Sequence, residues 1–188
     1  MPGLLARLLN SLAALVLSAL LALGLAPGAA DAARDTNSYD GNIYALYAGN
    51  GSLVPPRSTL TDAMAEHRPI VLGYFLDDSA ASKQYAVVFN ELQRLWGRSV
   101  ELILLSTDPI QNRETHGPND PASYWKGVIP QVVVFNTEGR VIFDEQGLVD
   151  VDAINAAVSQ ATGIPLPEGG TRSSTESFNE LNSEVVSR

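Results

Sequence analysis

Residues 69–76 read PIVLGYFL, an almost unbroken apolar run of strand length, the pattern of a strand covered on both faces. The period then changes. Over 79–97, Tyr85, Val88, Phe89, Leu92, Leu95 and Trp96 recur at helical spacing, with Ser79 placed to cap the helix and Gly97 to end it. Asp77 and Asp78 stand just ahead, acids suited to a helix N-terminus. Further strands are predicted at 100–105 (VELILL), 131–135 and 141–144, the last two joined through Glu138-Gly139 as a hairpin. The polar loop 108–121 holds Pro109, Pro118 and Pro121, and Tyr124-Trp125-Lys126 is predicted as a helical turn before Gly127. Asp150 opens a final helix with Val151, Ile154, Val158 and Ala161 on its buried stripe, and Gly163 closes it.

Upstream the pattern is mixed. Residues 42–48 (NIYALYA) suit a short strand before the turn Gly49-Asn50-Gly51, and Pro55-Pro56 makes a stiff spacer. Ser58 is placed as the N-cap of a short helix with Leu60 and Met64 on one face, stopped by Pro69. Parallel βαβ units, then a hairpin and a closing helix, describe the thioredoxin topology: an α/β fold with a central mixed sheet flanked by helices.

The first residues carry a different signal. Arg7 precedes an apolar run over 8–26, ended by Pro27-Gly28 and followed by Ala30-Asp31-Ala32. This reads as a signal peptide cleaved after Ala32, with an uncleaved anchor through 8–26 as the alternative. Either places the folded part across a membrane from the cytosol. After Pro165 the chain is rich in Ser, Thr, Glu and Gly and reads as a flexible tail. The division is therefore 1–32 signal peptide or anchor, 33–57 extension, 58–163 thioredoxin-like domain and 164–188 tail.

Composition narrows the chemistry. The 188-residue chain is 45% hydrophobic and 18% charged, enough apolar content for a core. Its net charge of −9 argues against binding to nucleic acid or to anionic lipid, which are themselves negative. There is no cysteine, so disulfides, thiolate nucleophiles and Cys-ligated metal are excluded, and His67 and His116 are the only imidazoles. No cofactor is expected.

In thioredoxin-like proteins a Cys-x-x-Cys pair sits between the first core strand and the next helix, where the helix N-terminus depresses a thiol pKa. Here the same place reads Asp77-Asp78-Ser79-Ala80-Ala81-Ser82-Lys83. The spacing survives as Ser79-x-x-Ser82, but a hydroxyl forms no disulfide. A helix dipole worth about 0.3–1 kcal/mol, or up to about 2, makes no alkoxide at neutral pH. A hydrolase with Ser79 as nucleophile needs a neighbouring base, which the sequence does not place. The simplest reading of Ser79 is a helix N-cap. Ile129-Pro130 precedes the third core strand, where thioredoxin-like proteins keep a cis-proline facing the active-site pair. A cis bond there leaves open a peptide-binding shelf or a turn that only shapes the fold.

Specific segments extend the likeness. They are Ser52-Leu53-Val54-Pro55-Pro56-Arg57, Phe75-Leu76-Asp77-Asp78-Ser79 with Ser82-Lys83-Gln84, Tyr124-Trp125-Lys126-Gly127 with Ile129-Pro130-Gln131, and Val141 through Gly147. On these the chain resembles the cyanobacterial thioredoxin-like thylakoid membrane photosystem I accumulation factors, whose members also lack the redox pair. The resemblance implies a non-enzymatic role in photosystem I accumulation, at the thylakoid membrane or in the lumen, with photosystem I subunits or assembly factors as partners. A groove between Asp77, Asp78, Ser79 and Ser82 on one side and Ile129 and Pro130 on the other would hold the partner. Tyr124 and Trp125 would be either its anchors or core aromatics closing the loop. The alternatives in other classes are an accessory binding module of a thiol-redox system and the Ser79 hydrolase.

Overall fold

The computed structural model describes residues 33–166. The expected signal peptide or anchor at 1–32, and the part of the expected tail from residue 167, lie outside the described residues. Among the described residues no helix is long and apolar enough to cross a membrane.

Among the described residues there are four α-helices and four strands. They are α1 (Ile43–Ala48), α2 (Leu60–Ala65), β1 (Ile70–Phe75), α3 (Ala80–Trp96), β2 (Glu101–Ser106), β3 (Gln131–Phe135), β4 (Val141–Gln146) and α4 (Val151–Thr162). The sheet runs β2-β1-β3-β4. β1 lies parallel to β2 and antiparallel to β3, and β3 is antiparallel to β4. A parallel β1-α3-β2 unit, a β3–β4 hairpin and a closing helix make this the thioredoxin-like fold that the hydrophobic pattern predicts.

Both faces of β1 are covered, which is why it reads as a continuous apolar run. Val71, Phe75, Val132 and Val134 join α1, α3 and α4 in one core through Ile43, Tyr44, Phe89, Leu92, Trp96, Ile154 and Val158. Ile70, Leu72, Tyr74, Val133 and Phe135 meet α2 and the 110–125 loop in a second core on the other face. Gly73 is required by close approach: a Cβ there would lie 2.5 Å from the Phe89 ring and 2.7 Å from Leu104.

Three local expectations are corrected. Residues 42–48 form helix α1 rather than a strand. Asn42 Oδ1 accepts the N–H groups of Tyr44 and Ala45, and Gly49 ends the helix with φ of 66°. The apolar side chains at 43, 44, 47 and 48 share a helical face, with Ile43 and Tyr44 in the core, whereas Leu46 is exposed. The extension is thus part of the core. Thr59, not Ser58, caps α2: its Oγ1 accepts from Asp62 N, and it donates to Asp62 Oδ2 at 2.7 Å. The capping partner three residues on decides which hydroxyl serves. The helical turn expected at 124–126 lies instead at Pro121–Ser123, capped by Asp120, because a proline fits the first helical position.

Asp120 organises that loop. It takes a bidentate ion pair from Arg113 and accepts the N–H groups of His116 and Ala122 at 2.8 and 3.0 Å. Arg113, more than any other group, holds the carboxyl down to about 2 from its ordinary 3.8. A depressed carboxylate contributes stability that is complete above its unfolded pKa and is lost as the pH falls through the folded one. The Asp120→Asn variant should therefore be less stable than wild type at pH 5, with the gap closing between pH 3.8 and about 2. Urea midpoints across that range measure it, and a gap constant with pH would contradict the assignment.

Candidate partner-binding groove

The strand-to-helix turn after β1 is held by its two serines. Ser79 Oγ accepts from Ser82 N at 3.3 Å, and Ser82 Oγ accepts from Leu76 N at 3.1 Å. Ser79 N donates to Leu76 O at 3.2 Å. Ser82 is only 2% exposed. Each hydroxyl thus satisfies a backbone N–H that the turn would otherwise leave unpaired.

The lysine that follows is the largest departure from a sequence reading. Lys83 is fully buried at the end of the first turn of α3. Its Nζ pairs with Asp40 and donates to Thr36 O at 3.1 Å and Ser38 Oγ at 3.2 Å. Asp40 also receives the Tyr47 hydroxyl at 2.8 Å. Asn37 Oδ1 accepts from Ala80 N, and Gln84 Nε2 donates to Asp35 Oδ1. Residues 34–40 are therefore strapped along the first turns of α3. The pattern of apolar positions gave no sign of this, since a lysine on a helix is ordinarily solvated.

Asp77 and Asp78 lie in the turn itself, Asp77 half-buried and Asp78 exposed. Burial pushes the Asp77 carboxyl up, against the lowering effect of the Ile43 N–H, and the charges of Asp108 and Asp78 push the same way as burial.

On the opposite side of the groove, Ile129–Pro130 is cis. Tyr74 pairs with Gln131, so Pro130 comes opposite Phe75, at the end of the sheet where Asp77 and Ser79 lie. The 124–130 loop is fixed by the buried Gln131. Its Nε2 donates to Tyr124 O at 2.8 Å and Asp144 Oδ1 at 2.9 Å, and its Oε1 accepts from Lys126 N at 3.1 Å. Lys126 Nζ reaches Asp144 at 2.8 Å. Pro130 O accepts from Gly147 N at 2.7 Å, which brings the β4–α4 loop alongside. Val128 and Leu148 are 45% and 58% exposed. Among the described residues Ile129 N and O have no hydrogen-bond partner. The shelf is a short stretch of unpaired backbone with apolar side chains beside it.

The expected site residues do not all converge. Asp77, Asp78, Ser79 and Pro130 share one end of the sheet. Ser82 is turned inward onto Leu76. Trp125 packs on Tyr74, ring centroids 5.3 Å apart, and Tyr124 meets Phe135 edge-on at 4.8 Å, with its hydroxyl on Pro118 O. Tyr74 and Phe135 belong to the core on the face opposite α3, so both aromatics act there as half-buried core groups. Nor does the geometry assemble a serine nucleophile with a base. His67 Nδ1 lies 3.3 Å from Thr137 O, beside the β3–β4 turn at the other end of the sheet, and the His116 backbone is tied to Asp120. Among the described residues no three His, Asp or Glu side chains are grouped as metal ligands.

No protein-family model matches the chain. Among solved structures, it is similar to the exposed lipoprotein thioredoxin Etrx1 from Streptococcus pneumoniae strain TIGR4. The TM-score is 0.43 at 13% identity, covering 54% of this chain and 89% of that one. Over 159 residues, 85% of its length, the chain is 36% identical to the thylakoid membrane protein slr1796 of Synechocystis sp. (strain ATCC 27184 / PCC 6803 / Kazusa). That identity spans 79% of the relative's own length, and the chain belongs to the family of the Synechocystis thylakoid membrane protein slr1796.

Proposed function

We propose that this chain is a non-catalytic thioredoxin-like protein that supports photosystem I accumulation on the lumenal side of the thylakoid membrane. It does so by holding an extended segment of an assembly partner against the Val128–Pro130 shelf. The observation that carries this reading is the unpaired Ile129 backbone beside exposed Val128 and Leu148. Unpaired strand-like N–H and C=O groups accept an added strand, and neighbouring apolar side chains supply contact area. Serines at both cysteine positions make the turn a fixed wall rather than a redox centre. The thylakoid setting is carried over from the name of the slr1796 relative.

Deletion of the gene should lower the photosystem I to photosystem II ratio in low-temperature chlorophyll fluorescence, with recovery when the gene is restored. Val128→Asp with Leu148→Asp alters only exposed side chains, and should reproduce the deletion while leaving the unfolding midpoint near that of wild type. A normal ratio in the deletion strain would sink the photosystem I role. A normal ratio in the double variant alone would sink the shelf.

A further inference from the structure

The segment Ser52 through Arg57, among the most distinctive stretches of the sequence, has no part in the groove. It lies at the other end of α3, a helix of 17 residues and so about 25 Å long. There a cleft of about 440 Å³ opens between the loop after α1 and the last turns of α3. The only charged side chains lining it are Arg57, Arg94 and Arg98. Arg94 is engaged by Glu91 through two hydrogen bonds of 2.8 and 2.6 Å. Arg57 and Arg98 have no ion-pair or hydrogen-bond partner among the described residues, and both are exposed. A second cleft of about 290 Å³ adjoins it, sharing Ser52, Arg57, Gln93 and Gly97; Glu66 lines that cleft too, and there Arg68 pairs with Glu101 at 2.5 Å.

The amides of the first cleft have a fixed sense. Asn50 Nδ2 donates to both Asn90 Oδ1 (2.8 Å) and Gln93 Oε1. Asn50 Oδ1 is occupied by Ser52 N and Ser52 Oγ at 3.2 and 2.7 Å. The amide acceptors are thereby consumed inside the wall. The Nδ2 of Asn90 and the Nε2 of Gln93 keep their hydrogens unused among the described residues. The lining side chains thus keep donors without partners among the described residues: the guanidinium groups of Arg57 and Arg98 and the amide NH₂ groups of Asn90 and Gln93. An acceptor-only anion satisfies such a set, and guanidinium forks match tetrahedral oxyanions in geometry. Arginines gathered without a lining carboxylate stand out in a chain of net charge −9.

We infer that this cleft is a binding site for a phosphate-class oxyanion, either free on a small molecule or as the headgroup of a lipid. The acidic charge of the chain disfavours anionic ligands over most of the surface, and the cleft is a local exception to it. The inference does not depend on the groove at the other end of α3.

The test is hydrogen–deuterium exchange on the full chain, titrated with sodium phosphate against sodium chloride at equal ionic strength. A parallel arm uses vesicles of phosphatidylcholine with or without one part in three of phosphatidylglycerol. Peptides covering 50–58 and 90–98 should become protected saturably, and Arg57→Gln or Arg98→Gln should each weaken the response about tenfold. Both variants replace exposed, unpartnered side chains, so their unfolding midpoints should match wild type. The apolar run 8–26 is common to all of them and cancels in the comparison. Protection by free phosphate assigns a soluble ligand. Protection only by vesicles containing phosphatidylglycerol assigns a headgroup. Protection by neither, or protection unchanged in both variants, overturns the site.

Discussion

Replacing Lys83 with alanine is expected to cost about 2–5 kcal/mol of stability, the range for emptying a fully buried long side chain. The test is comparison with two finer substitutions. Lys83→Met keeps the stem and removes the charge. Asp40 then remains hydrogen-bonded to Tyr47 and Ser38 and partly open to water, so the cost should stay below about 1.5 kcal/mol. Asp40→Asn does the reverse. It removes the charge from the carboxylate that pairs with the buried ammonium, and it should lower the urea midpoint more than Lys83→Met. The opposite order would mean that Lys83 contributes through volume alone. Asp40→Asn should also speed amide exchange along 34–40, because Lys83 is the buried point on which that strap converges.

The second large effect is expected at Gln131. Leucine there fills a similar volume but strands the Lys126 N–H and the Tyr124 carbonyl and takes one partner from Asp144. Leaving these part-buried polar groups unpaired costs about 1–3 kcal/mol. The damage should be local as well as global. Exchange should accelerate over 124–130 before the rest of the domain, and the Trp125–Tyr74 contact should loosen with a change in tryptophan fluorescence. Uniform acceleration across the domain would mean that the glutamine supports the sheet and not the shelf. Gln131→Glu supplies the control. It keeps an acceptor for Lys126 N but places a carboxylate beside Asp144, so it should recover less than half of the loss.

The strands of the core were legible because each is an apolar run whose two faces are both covered, as in β1 and β3. Helices α3 and α4 were legible from a repeating stripe with a capping side chain at one end and a glycine at the other. Helix α1 was misread although its signals were present: Asn42 ahead, Gly49 behind, and apolar residues at 43, 44, 47 and 48. Six residues are too few for periodicity to separate helix from strand, and here the caps decided. At the candidate groove, the turn serines could be found from their place between β1 and α3, and the cis bond at Pro130 only from the likeness to thioredoxin-like proteins. Tyr124 and Trp125 could not be assigned, since an aromatic in a polar loop suits an interface and a core equally. Their contacts with Phe135 and Tyr74 come from strands on the face of the sheet opposite α3.

By itself the sequence determined the order of the elements from α2 onward, the thioredoxin-like topology and the absence of thiol chemistry. All three follow from local hydrophobic period, from capping and turn residues, and from residue types that are either present or missing. Tertiary structure decided what the polar residues are for. Lys83 meets Asp40 across 43 positions, Asn50 meets Gln93 across 43, and Gln131 meets Asp144 across 13. A buried charge or amide is tolerated only where the fold brings it a partner, and partners distant in sequence leave no periodic trace. The strap over α3, the loop before β3 and the arginine-lined cleft are all made of such pairs, or of the groups those pairs leave over.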